Sequence, residues 1–126
     1  MISQKLKNIF LFSIPVFVAH GIEEYFTGLY NFGSLYQSFS NPKIVFILVV
    51  LIFVNTLLVT SYILIKNNKW MFGLSTTVGL LLIFELIHIY DAVRVGGYYP
   101  GLYTALIFPI IGFFFWKELL NNYKKS

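Results

Sequence analysis

Four apolar runs, at about residues 8–22, 43–65, 70–90 and 101–116, occupy most of a chain of 126 residues. That pattern fixes the class before any motif is read. A helix crossing the ~30 Å hydrocarbon layer needs about 20 apolar residues, somewhat fewer where one end is polar. Lipid also demands that each span satisfy its own backbone hydrogen bonds, which a helix does. The composition agrees: 58% hydrophobic, 20% aromatic and 11% charged residues leave too little polar surface for a soluble domain of this size. The expected fold is an all-α, four-transmembrane, up-down-up-down helical bundle, with one domain over residues 1–126. Its spans are expected at about 8–25, 42–65, 70–93 and 101–120.

The formal charge of +4 follows from where the lysines fall, not from a nucleic-acid surface. Lys5 and Lys7 precede the first run, Lys66 and Lys69 separate the second and third, and Lys117, Lys124 and Lys125 close the chain. Only Lys43 and Arg94 fall near the other two turns. By the positive-inside rule both termini and the middle turn are expected on the cytoplasmic side, with a bacterial plasma membrane as the setting. Trp70 and Trp116 would then mark the inner interface, and Tyr25, Tyr30, Tyr36, Tyr98 and Tyr99 the outer one. The first run carries no small-x-small cleavage site and is read as retained. Cysteine is absent, which excludes iron–sulfur clusters, thiolate zinc sites and a cysteine nucleophile.

Between the spans, residues 26–41 form the longest connection. Leu29, Phe32, Tyr36 and Phe39 recur at helical spacing, so the segment is expected at the interface, as a short amphipathic helix or an ordered aromatic loop. "SNPK" supplies an N-cap at Ser40 or Asn41 and a first-turn Pro42 for the second span. "KNNK" is a tight turn, and "RVGGYYPG" turns the chain into the fourth span. Pro109 leaves the carbonyl of Ala105 without its helical partner, and Pro15 is tolerated as a kink.

Against this background the stretch "VFVAHGIEEYF" is anomalous. His20, Glu23 and Glu24 stand three and four residues apart and share a helix face. In the third span Glu85 and His88 are also three apart. At 1.5 Å per residue, His20 lies about 18 Å from the start of its helix and Glu85 about 22 Å from the start of its own, so the two clusters meet in the outer half of the membrane. Asn55, the main polar residue of the second span, falls near the same depth. Asp91 points away from His88 toward Arg94 and reads as a boundary ion pair.

Each acid near the bilayer centre costs about 2.5–3.5 kcal/mol on insertion scales, and less toward the interface. Protonation, hydrogen bonds, water or a cation must offset that. Imidazole and carboxylate are the usual ligands of zinc and also hold iron, and Glu-x-x-His pairs on facing helices build such sites in bundles. The bland reading is that the five residues glue helices together by hydrogen bonds. Two histidines could also ligate haem, for which carboxylates are poor company.

At these residues the chain resembles the HXXEE-motif integral membrane proteins. "HGIEE" at 20–24 fits the naming motif, and "IHIYDAVRVGGYYPGLYTALIFP" supplies a second match through His88, the Tyr99-Pro100-Gly101 turn, Thr104 and Pro109. The resemblance covers nearly the whole chain. It implies four spans and a functional set of His20, Glu23, Glu24 and His88, and it brings no established activity. Asparagine often stands in the family where this chain has Glu85, so Glu85 is a departure.

The expected function is a membrane-embedded enzyme, metal-dependent, acting on a lipid or other apolar small molecule by hydrolysis or acid/base chemistry. His20, Glu24, Glu85 and His88 are the expected ligands of a divalent metal, zinc or iron. Glu23 is the expected general base or orienting group, and Asn55, Tyr99 and Thr104 the expected substrate contacts. A small proton-coupled transporter, which would work as a homodimer, and a ligand-binding membrane subunit are the alternatives. Transport needs polar groups continuing to the other side, where the sequence offers only Ser13, Ser75, Thr76 and Thr77.

Overall fold

The computed structural model of the chain describes residues 2–32, 34–66 and 70–124, apart from the side chain of Ile65. Lys69 and Lys125, part of the charge pattern, and most of the "KNNK" turn lie outside the described residues. The elements are α1 (Gln4–Thr27), a 3-10 turn (Leu29–Asn31), α2 (Ser34–Gln37), α3 (Pro42–Lys66), α4 (Met71–Phe84), α5 (Ile87–Val95), α6 (Leu102–Ala105) and α7 (Phe108–Lys124). No strand occurs among the described residues. Four helical segments are long and apolar enough to cross a membrane: Gln4–Thr27, Pro42–Leu64, Met71–Val95 and Leu102–Lys124. The fold is an all-α four-helix bundle.

Local chemistry explains the boundaries. Ser3 caps α1 by accepting from the Leu6 amide, and Gly28 ends it in the left-handed region at φ 77°. Asn41 caps α3, its side chain accepting from Ile44 N and its carbonyl from Val45 N, just ahead of Pro42. The last span breaks at Leu106–Ile107, two residues before Pro109, whose missing N–H leaves Ala105 O without an i+4 donor. Pro15 sits inside α1 without interrupting it. The third span loosens at Glu85–Leu86, where i→i−3 bonds such as Leu86 N to Ile83 O replace the regular ladder.

Residues 28–41 are neither a single helix nor a plain loop. Their described residues include two single-turn pieces, with Tyr30 tilted against Phe46 of α3, Tyr36 edge-on to it, and Phe32, Leu35 and Phe39 exposed.

Packing is uneven around the bundle. The first span sits between the second and the fourth, and the fourth packs along the third. The core runs between them through Leu6, Phe10, Phe17, Leu82, Phe108 and Phe115. Trp116 is half-buried. Its indole lies against Gly79, where a Cβ would come within 2.8 Å of the ring, and its Nε1–H donates to Gly79 O. The second and third spans touch little, and the slot between them stays open.

At the end holding the chain termini, α1 and α7 are tied by polar contacts. Ser3 N donates to Asn122 Oδ1 at 2.6 Å, Ser3 Oγ to Glu118 Oε1 at 2.7 Å, and Lys5 Nζ lies 3.6 Å from Glu118 Oε2. The His/Glu residues occupy the opposite end.

Candidate metal centre

Helical spacing puts His20 and Glu24 on the buried face of α1, while Ile22 between them is exposed. His88 is buried on α5, and Glu85 sits at the loosened joint between α4 and α5. The four side chains meet. His20 Nε2 lies 3.0 Å from Glu85 Oε2 and 3.4 Å from Glu24 Oε1. His88 Nε2 lies 3.2 Å from Glu24 Oε1 and 3.6 Å from Glu85 Oε2. The imidazoles stand edge to face with centroids 4.7 Å apart.

The far side of each ring determines what the near side presents. His88 Nδ1 is 2.8 Å from the carbonyl of Pro100, which only accepts, so Nδ1 carries the proton. His20 Nδ1 is 2.6 Å from Thr104 Oγ1. The single hydroxyl proton of Thr104 goes to Glu23 Oε2 at 2.6 Å, with Gly101 O a distant 3.3 Å, so Thr104 accepts from His20 Nδ1–H. As neutral imidazoles, both rings direct an Nε2 lone pair at carboxylate oxygens; as imidazoliums, they would present N–H groups there. Lone pairs facing carboxylates repel unless a proton or a cation lies among them. His20 Nε2 is buried and makes no well-formed hydrogen bond, although Glu85 Oε2 lies 3.0 Å away.

The donor set fits a divalent ion. His20, Glu85 and His88 each offer a ligand atom within 4.8 Å of the others. Two imidazoles and one carboxylate form a set used by catalytic zinc, and the backbone and hydroxyl contacts to Nδ1 are the orienting partners that metal-ligating histidines require. Glu24 is the carboxylate beyond that group of three, in contact with both rings.

Glu23 is not among these side chains. It turns toward the last turn of the fold and accepts from Tyr98 OH (2.6 Å), Tyr103 N (3.0 Å), Thr104 N (2.8 Å) and Thr104 Oγ1. Four donors saturate a carboxylate, so the general-base role expected of Glu23 has no free lone pair to work with. Its orienting role has a clear structure: Glu23 holds Thr104, and Thr104 holds His20. Burial, and next the hydrogen bond to Glu23, push the Tyr98 phenol above its ordinary pKa and keep it a donor.

A cavity of about 410 Å³ opens on the cluster. Leu29 and Tyr36 from the aromatic connection line it, as do Phe53 and Tyr99, whose ring centroid lies 6.0 Å from that of His88. Of the expected substrate contacts, Tyr99 faces this space. Thr104 stands behind His20 instead. Asn55 is exposed and donates to Leu51 O of its own helix, because its register on α3 turns it away from α1. Asp91 pairs with Arg94 at 3.0 Å and also lines the cavity.

One residue that sequence reasoning left as a mere turn is central. Gly101 has φ +85°, and a Cβ there would come within 2.7 Å of His20 Cε1 and 3.1 Å of both Glu24 Cγ and His88 Nδ1. Only glycine meets both demands. The Pro-Gly pair was the available signal; the approach of that turn to both imidazoles was not readable from spacing.

A family model described as "protein of unknown function with HXXEE motif" matches residues 11–115. The chain belongs to the HXXEE family. Within it, the histidine and last glutamate of the motif, His20 and Glu24, enter the cluster, and the first glutamate, Glu23, supports it from behind. No curated protein and no solved structure matches the chain.

Proposed function

We propose that this HXXEE protein is a membrane-embedded, metal-dependent enzyme acting on a lipid or another apolar substrate. The carrying observation is the convergence of two Nε2 atoms and two carboxylates on one point beside a cavity, with each Nδ1 held from behind by an oxygen. His20, His88 and Glu85 would hold the ion. A divalent cation there supplies Lewis acidity toward a substrate oxygen, as zinc does in hydrolases.

The chain's own groups then have defined tasks. Pro100 O and the Thr104 hydroxyl keep each imidazole in one tautomer. Glu24, placed against both rings, is the base that takes a proton from the water attacking the substrate carbonyl, as the carboxylate beside two histidines does in zinc proteases. Leu29, Tyr36, Phe53 and Tyr99 wall the cavity that substrate and water would share. Lys5, Lys7, Lys66, Lys117 and Lys124 lie toward the end of the bundle with the termini, which supports a cytoplasmic location for that end and a cluster nearer the opposite leaflet.

The test is ester hydrolysis on a panel of uncharged lipids by protein in nanodiscs, before and after metal loading. Wild type should turn over only when loaded. Glu24→Gln should keep the metal and lose about 10²–10⁴-fold in rate, the usual share of a general base. Wild-type rates from a His20→Ala, Glu24→Ala double variant would sink the proposal.

A further inference from the structure

The slot between the second and third spans is the feature the metal centre does not use. It holds a second cavity of about 380 Å³, and Val49, Phe53 and Leu81 line both this slot and the cavity over the cluster. The two spaces therefore share walls and lie side by side. From Val49 to Thr60 the slot follows α3 for twelve residues, about 16 Å at 1.5 Å per residue. Two of its three threonines add little polarity: Thr56 donates to Ile52 O and Thr77 to Gly73 O, so those hydroxyls are spent on their own helices. The lining side chains Ile52 and Val49 are exposed on the outside of the bundle, so the slot opens sideways toward the bilayer.

The other end has the opposite character. Glu24, Glu85 and Asp91 line the cavity over the cluster; of the two cations at this end, Arg94 is exposed and already paired with Asp91, and Lys43 is exposed over the Tyr25 ring, outside the lining. A divalent ion would only balance Glu24 and Glu85. No excess positive charge is left for a phosphate or a free carboxylate, and burying such an anion unpaired is costly.

We infer that the slot takes the hydrocarbon chain of an uncharged single-chain amphiphile, such as a monoacylglycerol, whose oxygen-bearing head meets the His/Glu cluster. The chain enters sideways between the second and third spans. The placement of the head rests on the proposed function; the occupancy of the slot does not.

A monoacylglycerol with a mid-chain diazirine, present at low mole fraction in phosphatidylcholine nanodiscs, tests this by photolabelling and peptide mapping. Adducts should concentrate on residues 53–60 and 74–81. Excess unlabelled monoacylglycerol should compete severalfold better than lysophosphatidic acid or free fatty acid of the same chain. Thr77→Trp, which fills the slot, should cut labelling severalfold, whereas Ile110→Trp on another lipid-facing surface should leave it unchanged. Uncompeted adducts scattered over lipid-facing positions such as Phe12 and Ile110, or equal competition by the anionic lipids, would overturn the inference. Repeating the labelling on the His20→Ala, His88→Ala variant separates the two readings. Metal binding in wild type with scattered labelling rejects the slot alone, and competed labelling on a wild type that binds no metal rejects the metal centre alone.

Discussion

The two ends of the bundle each carry a polar cluster joining α1 to the rest of the fold, and they are built on opposite principles. At the end with the termini, donors and acceptors match: Ser3 N and Ser3 Oγ donate to Asn122 and Glu118, Asn122 Nδ2 donates to Glu118 O, and Lys5 faces the remaining Glu118 oxygen. Nothing further is needed there, and the contacts act as a fastener. At the other end two Nε2 atoms and two carboxylates point inward at one another, while both Nδ1 atoms are held outward by Thr104 and Pro100. A cluster whose acceptors face one another is arranged for a positive charge. Matched clusters hold a fold; the mismatched one could hold a cation.

The largest effect should come from closing the space at the mismatched end. Gly101→Ala adds left-handed strain of about 1–2 kcal/mol and forces a methyl into His20 and Glu24, an overpacking cost of about 1–3 kcal/mol. It should abolish metal binding and lower the unfolding temperature, as read by metal analysis and thermal melts. Gly96→Ala, also at positive φ but with nothing within 4 Å, should show the strain alone and keep the metal. Equal behaviour of the two variants would erase the contrast.

A smaller effect is expected behind the ring. Thr104→Val removes the acceptor for His20 Nδ1–H and the donor to Glu23, and should weaken metal affinity about 10–100-fold in a titration, with Thr104→Ser restoring it. The smallest effect belongs to the fastener. Asn122→Ala should cost about 1–2 kcal/mol of stability and leave metal affinity untouched.

Periodicity and spacing carried much of this site. Four apolar runs were legible as four helices because lipid admits little else, and the rise per residue brought His20 and Glu85 to one depth, where they touch. Pro109 announced its break. Facing directions were less legible. Glu23 and Glu24 are neighbours about 100° apart, and either could point at His88 until the position of the 98–104 turn is known. Asn55 shared the depth but not the face. The 98–104 turn orients His88 through the Pro100 carbonyl and comes close to both rings through the glycine beside it, and backbone groups carry no signature in a sequence. The open slot depends on how far two apolar helices stand apart, which is set by packing elsewhere in the bundle.

The most direct measurement is elemental analysis of detergent-purified protein, after incubation with zinc or ferrous iron and desalting, beside the His20→Ala, His88→Ala variant. A metal centre predicts near-stoichiometric divalent metal in wild type and its loss in a variant that still melts cooperatively. Metal-free wild type would contradict it, leaving the converging lone pairs to be satisfied by protons shared among the four side chains.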